Sequence, residues 1–219
     1  MEKGTQEVTD RYDTTDNSEG QFQPDSNEKV LLNKLGITKS AEMDDVELDL
    51  LEQLTEMILG EIEIDQTITS DDLCEWHRRW LGNVYDWAGQ YRLVNMGKDD
   101  FQFAAAHLIP KLMQAFNEKF LSVYTACDGM DENQLIDALA IVHIEYILVH
   151  PFREGNGRLS RLLANIMALQ AGQPVLDFTF MDDHKNEYFV AVQAGLDDAE
   201  PMKEMFRQVL YASQKSVKD

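Results

Sequence analysis

Two stretches with helical apolar spacing meet at a five-residue loop. The first runs from Gln134 to Val149 and places Leu135, Leu139, Val142 and Tyr146 three or four residues apart, with Ile147 beside Tyr146. The second carries Leu159, Leu162, Leu163, Ile166 and Leu169 in the same period. Pro151 disfavours helical geometry at the residue before it, so the first helix closes at His150. The second opens near Gly157, and Phe152 to Asn156 form the loop between them. Two helices of this length, tied this closely, commit the chain to a helical core.

The joint reads His150-Pro-Phe-Arg-Glu-Gly-Asn-Gly-Arg-Leu-Ser-Arg161. A Gly-Asn-Gly turn feeding a helix N-terminus suits an anion, because the first N–H groups of a helix lack internal partners and the dipole favours negative charge there. Glycines let a backbone come close to a ligand. Arg158 and Arg161 are three apart and project from one face, a pairing that suits a polyphosphate. Glu154 would repel phosphate unless a divalent cation lay between them, and Mg²⁺ takes one or two carboxylates together with phosphate oxygens. His150 titrates near neutrality and suits a general base for a hydroxyl. An ordinary helix-loop-helix explains any one of these residues, but no single structural need asks for the whole set.

Taken together, His150, Phe152, Glu154, Gly155, Asn156, Gly157, Arg158 and Arg161 match every fixed position of the Fic motif, His-x-Phe-x-Asp/Glu-Gly-Asn-Gly-Arg-x-x-Arg. The resemblance extends from about Val30 to about Tyr211, and Val84 to Arg92 is similar to the Tyr-x-Trp-Ala-Gly segment that precedes the family's substrate-docking hairpin. It implies transfer of AMP from ATP to a Ser, Thr or Tyr hydroxyl of a target protein, with pyrophosphate released and Mg²⁺ present. His150 would take the hydroxyl proton, Phe152 would orient the loop from the core, and Glu154 would hold Mg²⁺. Gly155, Asn156 and Gly157 would form the anion hole, with Arg158 on the β-phosphate and Arg161 on the γ-phosphate. Relatives that phosphorylate their targets carry Lys where this chain has Gly157, so Gly157 favours AMP over γ-phosphoryl transfer. Transfer of UMP or phosphocholine, and removal of AMP by the same site, fit the motif as well. A nucleotide-binding regulator without turnover is disfavoured by the intact base, carboxylate and arginines. An interaction protein that uses its acidic surface is the remaining reading.

The formal charge of −21 over 219 residues argues against nucleic acid and against an anionic membrane surface. The length fits one domain. Cys74 and Cys127 are too few for a disulfide framework and show no zinc-ligand spacing. Met1 to Gln23 lacks the apolar run of a signal peptide, no stretch approaches a membrane span, and the cytoplasm is the expected location. Residues 1–28 are polar and acidic and read as a flexible arm before a domain at 29–219. Within the arm, Thr15 to Gly20 fits the Ser/Thr-x-x-x-Glu-Gly/Asn pattern with which many Fic proteins inhibit themselves. In that case Glu19 would pair with Arg161. The segment has no helical period and the chain is rich in acids, so a chance match competes with that reading. A separate inhibitory protein is the alternative restraint.

The rest of the chain is helical. Val30 to Ile37 is a short lead-in. Ser40 would cap a helix with the stripe Val46, Leu50, Leu54, Met57 and Ile58 and a solvated acidic face. Thr69 caps a helix containing Leu73, Trp76, His77 and Trp80, with His77 a half-buried structural histidine. Between Tyr91 and Phe103 the period changes to alternation around Gly97-Lys-Asp-Asp100, which predicts a small hairpin. The resemblance implies that this flap, 91–103, pairs with an extended target segment by strand addition. Lys98 reads as a solvated turn residue, His107 as surface and His143 as structural. Asp182 or Asp183 would cap a helix containing Asn186, Tyr188 and Phe189, and Tyr188 is the candidate adenine contact implied by the family. The expected fold is all-α with one short β-hairpin flap beside the active site.

Overall fold

A computed structural model describes residues 18–98 and 101–216. Eight helices account for most of them. They are α1 (Ser40–Glu61), α2 (Ser70–Leu81), α3 (Ile109–Phe116), α4 (Glu132–Val149), α5 (Asn156–Gln170), α6 (Thr179–Asp183), α7 (Lys185–Ala194) and α8 (Glu200–Ser216). A π turn, Asn117–Leu121, and a last turn, Ser122–Tyr124, prolong α3. The all-α expectation with one hairpin holds. Among the described residues no helix is long and apolar enough to cross a membrane.

Helix α4 is the axis of the fold. It is apolar nearly all round, as a helix enclosed by others must be. Leu135, Leu139, Val142, Ile144, Tyr146 and Val149 are all buried, and α3, α5, α7 and α8 pack around it. Capping boxes start two helices, the first of them at Thr69 as expected. Thr69 and Asp72 exchange bonds at α2, and Asp131 and Gln134 do so at α4. Helix α1 differs from expectation. Lys39 rather than Ser40 is its cap residue, and its buried stripe is Met43, Glu47, Leu54 and Ile58, with Met57 exposed. The acidic face therefore delivers one carboxylate, Glu47, into the interior.

The hairpin is shorter than the alternation implied. Its strands are β1 (Gly97–Lys98) and β2 (Phe101–Gln102), antiparallel, with Gly97 opposite Gln102 and Lys98 opposite Phe101. Gly97 and Lys98, expected in the turn, are strand residues. Beyond the Met96 carbonyl, which accepts from the Phe103 N–H at 3.1 Å, Tyr91 to Asn95 runs without a ladder partner because its polar groups are claimed elsewhere. Arg92 is buried, and its guanidinium donates to the carbonyls of His150 (2.7 Å), Val94 (2.6 Å), Ala104 (2.6 Å) and Val149 (3.3 Å). Its backbone N–H donates to the Pro151 carbonyl at 2.9 Å. One cation thus ties both limbs of the flap to the carbonyl end of α4, where a positive charge is favoured.

Residues 1–17 of the expected arm lie outside the described residues. Residues 18–28 are held against the domain rather than free. Ser18–Gly20 forms a 3₁₀ turn, Phe22 bridges Leu31, and Gln23 donates to the Val30 carbonyl. Composition alone missed this because the anchoring groups are backbone amides and one buried carboxylate, Glu19.

Replacing Arg92 with Met would leave several buried carbonyls without donors at once. Each orphaned group costs on the order of 1–3 kcal/mol. Arg92→Met is expected to lose about 3 kcal/mol or more in urea unfolding, and an unchanged midpoint would contradict this role.

Candidate active site

His150 terminates α4 in the left-handed conformation, φ 50°, with its N–H still donating to the Tyr146 carbonyl. Pro151 blocks helical continuation, and the left-handed residue turns the chain into the loop. The imidazole lies flat on Phe103 of the flap, with ring centres 3.9 Å apart and 11° between planes. Burial, and next the Arg92 charge, push its pKa down to about 4, with a smaller opposing effect from the Ile147 carbonyl. At neutral pH it is an uncharged base.

The loop is closed by its own side chains. Asn156 accepts from the Phe152 N–H at 2.9 Å and donates to the Phe152 carbonyl at 2.7 Å. Its amide is therefore consumed internally, and what Asn156 offers a ligand is backbone N–H. Phe152 is fully buried and stacks on His77 at 4.0 Å. His77 is completely buried rather than half-buried. Its Nδ1 accepts from the Gly89 N–H at 2.8 Å, so its Nε2 carries the proton and donates to the Glu154 carbonyl at 3.1 Å. Burial pushes the His77 pKa down to about 4.

Helix α5 opens one residue earlier than expected, at Asn156. The N–H groups of Asn156, Gly157 and Arg158 have no backbone acceptor among the described residues, whereas Leu159 N–H returns to the Gly155 carbonyl. Gly155 has φ 80°, and a methyl group there would lie 2.5 Å from the Trp80 ring, so only glycine fits. A methyl group at Gly157 would meet nothing within 4 Å. The space over Gly157 is the open mouth of the N–H cradle. The Gly155 N–H itself is taken by Glu154 Oε1 at 2.8 Å, so the cradle rests on residues 156 to 158.

Glu154 Oε1 also receives Arg158 at 3.3 Å, while Oε2 has no bond among the described residues. Among those residues no three His, Cys, Asp or Glu side chains converge as a metal cage. Glu154, a half-exposed carboxylate with one unbonded oxygen beside the N–H groups of the α5 N-terminus, could hold a Mg²⁺ that also takes phosphate oxygens.

Both motif arginines already have carboxylate partners. Arg158 donates to Glu47 of α1 at 2.5 Å and lies over the Trp80 ring. Arg161 is paired bidentately with Asp182 of α6, at 2.7 and 3.1 Å. Asp182 lies within α6 and does not cap α7, where His184 takes the cap position. Glu19 is not on Arg161. Its carboxylate accepts from the Leu93 N–H at 3.0 Å, and its carbonyl accepts from Arg153 at 2.9 Å. Thr15 of the same pattern lies outside the described residues. Tyr188 points inward, its hydroxyl 2.7 Å from His143 Nε2. The neighbouring Phe189 faces the flap instead, against Phe101 and beneath Lys98.

Sequence reasoning brought together 150 to 161 and missed Arg92, Glu47, Asp182, Phe103 and the support from His77. Glu47 was detectable in principle, because it falls four residues after Met43 and seven before Leu54 on the buried stripe. The others depend on contacts across long sequence separations.

The Fic/DOC family model matches residues 67–168. The chain is 36% identical over 143 residues to "Protein adenylyltransferase Fic" of Nematostella vectensis, an overlap covering 64% of this chain and 32% of that protein. It is 32% identical to "Protein adenylyltransferase VbhT" of Bartonella schoenbuchensis, covering 65% of this chain and 30% of that one. The matched region thus spans about a third of either relative. Among solved structures, the BepC protein of Bartonella tribocorum with bound AMPPNP superposes with a TM-score of 0.65 at 21% identity, over 83% of this chain and 92% of that one. That likeness supports the fold.

Two glycines give a test of the geometry. Gly155→Ala is expected to destabilise the fold by about 2 kcal/mol or more, through the clash and the positive φ. Gly157→Ala is expected to leave stability equal or slightly raised. Urea unfolding of both variants checks this. The histidines give a second test. His77, His143 and His150 are held at about 4, 3 and 4 against 6.5 for the free group, burial being the first cause in each. Between pH about 6.5 and about 3 the unfolded chain binds more protons. Their contribution to stability is complete above pH 6.5 and falls as pH falls through that window. Unfolding midpoints measured from pH 7 to 4.5 should therefore decline, and a flat profile would contradict their burial as neutral rings.

Proposed function

The chain belongs to the Fic/DOC family, and from that premise we propose that it is a protein adenylyltransferase, moving AMP from ATP to a hydroxyl of a target protein. The observation that carries this is the open N–H cradle over Gly157, with neutral His150 and both motif arginines around it. The names of the two relatives support the same activity.

In the proposed step the target hydroxyl oxygen bonds to the α-phosphorus as the bond to the bridging oxygen of the β-phosphate breaks, and pyrophosphate leaves. The hydroxyl proton passes to His150. That imidazole is neutral, and its ring is fixed between the α4 terminus and Phe103, so its orientation is set before the substrate arrives. The N–H groups of residues 156 to 158 face the charge that develops on phosphate. Arg158 takes the β-phosphate and Arg161 the γ-phosphate. Glu154 would hold Mg²⁺, which neutralises phosphate charge when bound. Helix α7 borders the adenine with Tyr188, whose hydroxyl is anchored on His143.

The target segment docks along the flap. A groove of about 360 Å³ runs beside it, lined by Gly20, Val94, Asn95, Met96, Gly97 and Arg153. Main-chain pairing there would register the hydroxyl toward His150. Because Glu19 sits on the flap and not on Arg161, a separate inhibitory protein is the proposed restraint. The free thiols Cys74 and Cys127, with the need for ATP, favour the cytoplasm.

Intact-mass analysis after incubation with Mg²⁺ and ATP tests the reading, with self-modification or a co-incubated target as the acceptor. An AMP adduct on wild type that vanishes in His150→Ala is expected. A phosphate adduct would contradict AMP transfer. Gly157→Ala should bind ATP at least tenfold more weakly by calorimetry, because its methyl fills the cradle; this is about 1.4 kcal/mol.

A further inference from the structure

We infer that Glu47, on a helix outside the family-matched span, is a positioning residue that presents Arg158 to the β-phosphate; this rests on the adenylyltransferase reading. Glu47 is only 3% exposed. In a chain with 40 acidic side chains, a carboxylate placed inside the protein needs a specific partner, because burying an unpaired charge is costly. Each of its three oxygens has one. Oε1 accepts from the Tyr85 hydroxyl at 2.7 Å, Oε2 accepts from Arg158 at 2.5 Å, and the backbone carbonyl accepts from Trp80 Nε1 at 2.8 Å.

Those contacts converge on one guanidinium. Glu47 holds Arg158 end-on, and the Trp80 ring that its carbonyl anchors lies beneath it, 4.7 Å from the Cζ atom. Tyr85 stacks on Trp87 at 4.4 Å, which fixes the hydroxyl behind the carboxylate. Burial, and then the bond to Glu47, push the Tyr85 hydroxyl well above its ordinary pKa, so it stays a donor.

The way Arg158 is bound separates positioning from blockade. Both of its ion pairs, to Glu47 and to Glu154, use the single nitrogen Nη2. Nε and Nη1 have no bond among the described residues and remain for a phosphate oxygen. Arg161 is bound differently, with both terminal nitrogens on the two oxygens of Asp182, a side chain about half exposed. Glu47 aligns an arginine whose phosphate-facing edge is free. It also links α1 to the motif arginine at the start of α5.

The test is calorimetric binding of ADP and of AMP to the whole chain, comparing wild type with Glu47→Gln and Tyr85→Phe. AMP has no β-phosphate, so it reports any general damage to the site. Glu47→Gln is expected to weaken ADP binding about tenfold while AMP binding changes less than twofold, since a charge-assisted bond is lost only where Arg158 acts. Tyr85→Phe should show the same selectivity with a smaller effect. Equal losses for ADP and AMP would make Glu47 structural and overturn the inference. Tighter ADP binding, which would mean that Glu47 competes with phosphate, would overturn it too, as would no change. Failure of wild type to bind either nucleotide would remove the adenylyltransferase reading and this inference together. Normal wild-type binding with an indifferent Glu47→Gln would remove only the inference.

Discussion

The buried Arg92 guanidinium is the contact on which the site's architecture depends. Helix α4 ends with carbonyls that have no intrahelical donor, and the flap is too short to be held by its two-residue strands. One side chain answers both needs by donating to Val149 and His150 on the helix side and to Val94 and Ala104 on the flap side. The consequence is geometric. With the flap fixed to the α4 terminus, Phe103 lies on the His150 ring, and the surface where an extended segment would pair has a set distance from the base. The same cation also works with burial to keep that base uncharged.

A second constraint is charge. A chain of net charge −21 has to concentrate positive potential locally to hold a polyphosphate. In the proposed site that falls to the α5 N-terminus, Arg158 and Arg161, and each arginine is paired with a carboxylate of the chain. The two pairings differ in strength of enclosure. Glu47 is buried and grips one nitrogen, whereas Asp182 is half exposed and fills a whole fork. An exposed ion pair contributes little and yields readily, so the proposed nucleotide would release Arg161 at small cost while Arg158 stayed on Glu47.

What was legible in the sequence was local. Helix periods and the Thr69 cap depend on neighbours within a turn or two and appear where the spacing put them, as does the short loop between the helices that carry His150 and Arg161. The hairpin was legible in existence but not in extent, because alternation shows which residues could form a strand and not whether a partner strand is present. Glu47 did not stand out in the sequence, because an acidic helix face is usually solvated. Its burial depends on Arg158, 111 residues away. Residues 18–28 were misread for a related reason, since Glu19 is held by Leu93, 74 residues along the chain. The Asn156 amide closes the loop on Phe152, a role the sequence did not show, while its backbone N–H has no backbone acceptor among the described residues.

The central claim is that the α5 N-terminus, with His150 beside it, is a nucleotide site built for attack at the α-phosphorus. A crystal structure of the protein with AMPPNP and Mg²⁺ tests it most directly. The account predicts phosphate oxygens on the N–H groups of residues 156 to 158, Arg158 on the β-phosphate, Mg²⁺ on Glu154, and His150 facing the α-phosphate. A nucleotide bound elsewhere, or one reversed so that the γ-phosphate lies next to His150, would contradict it.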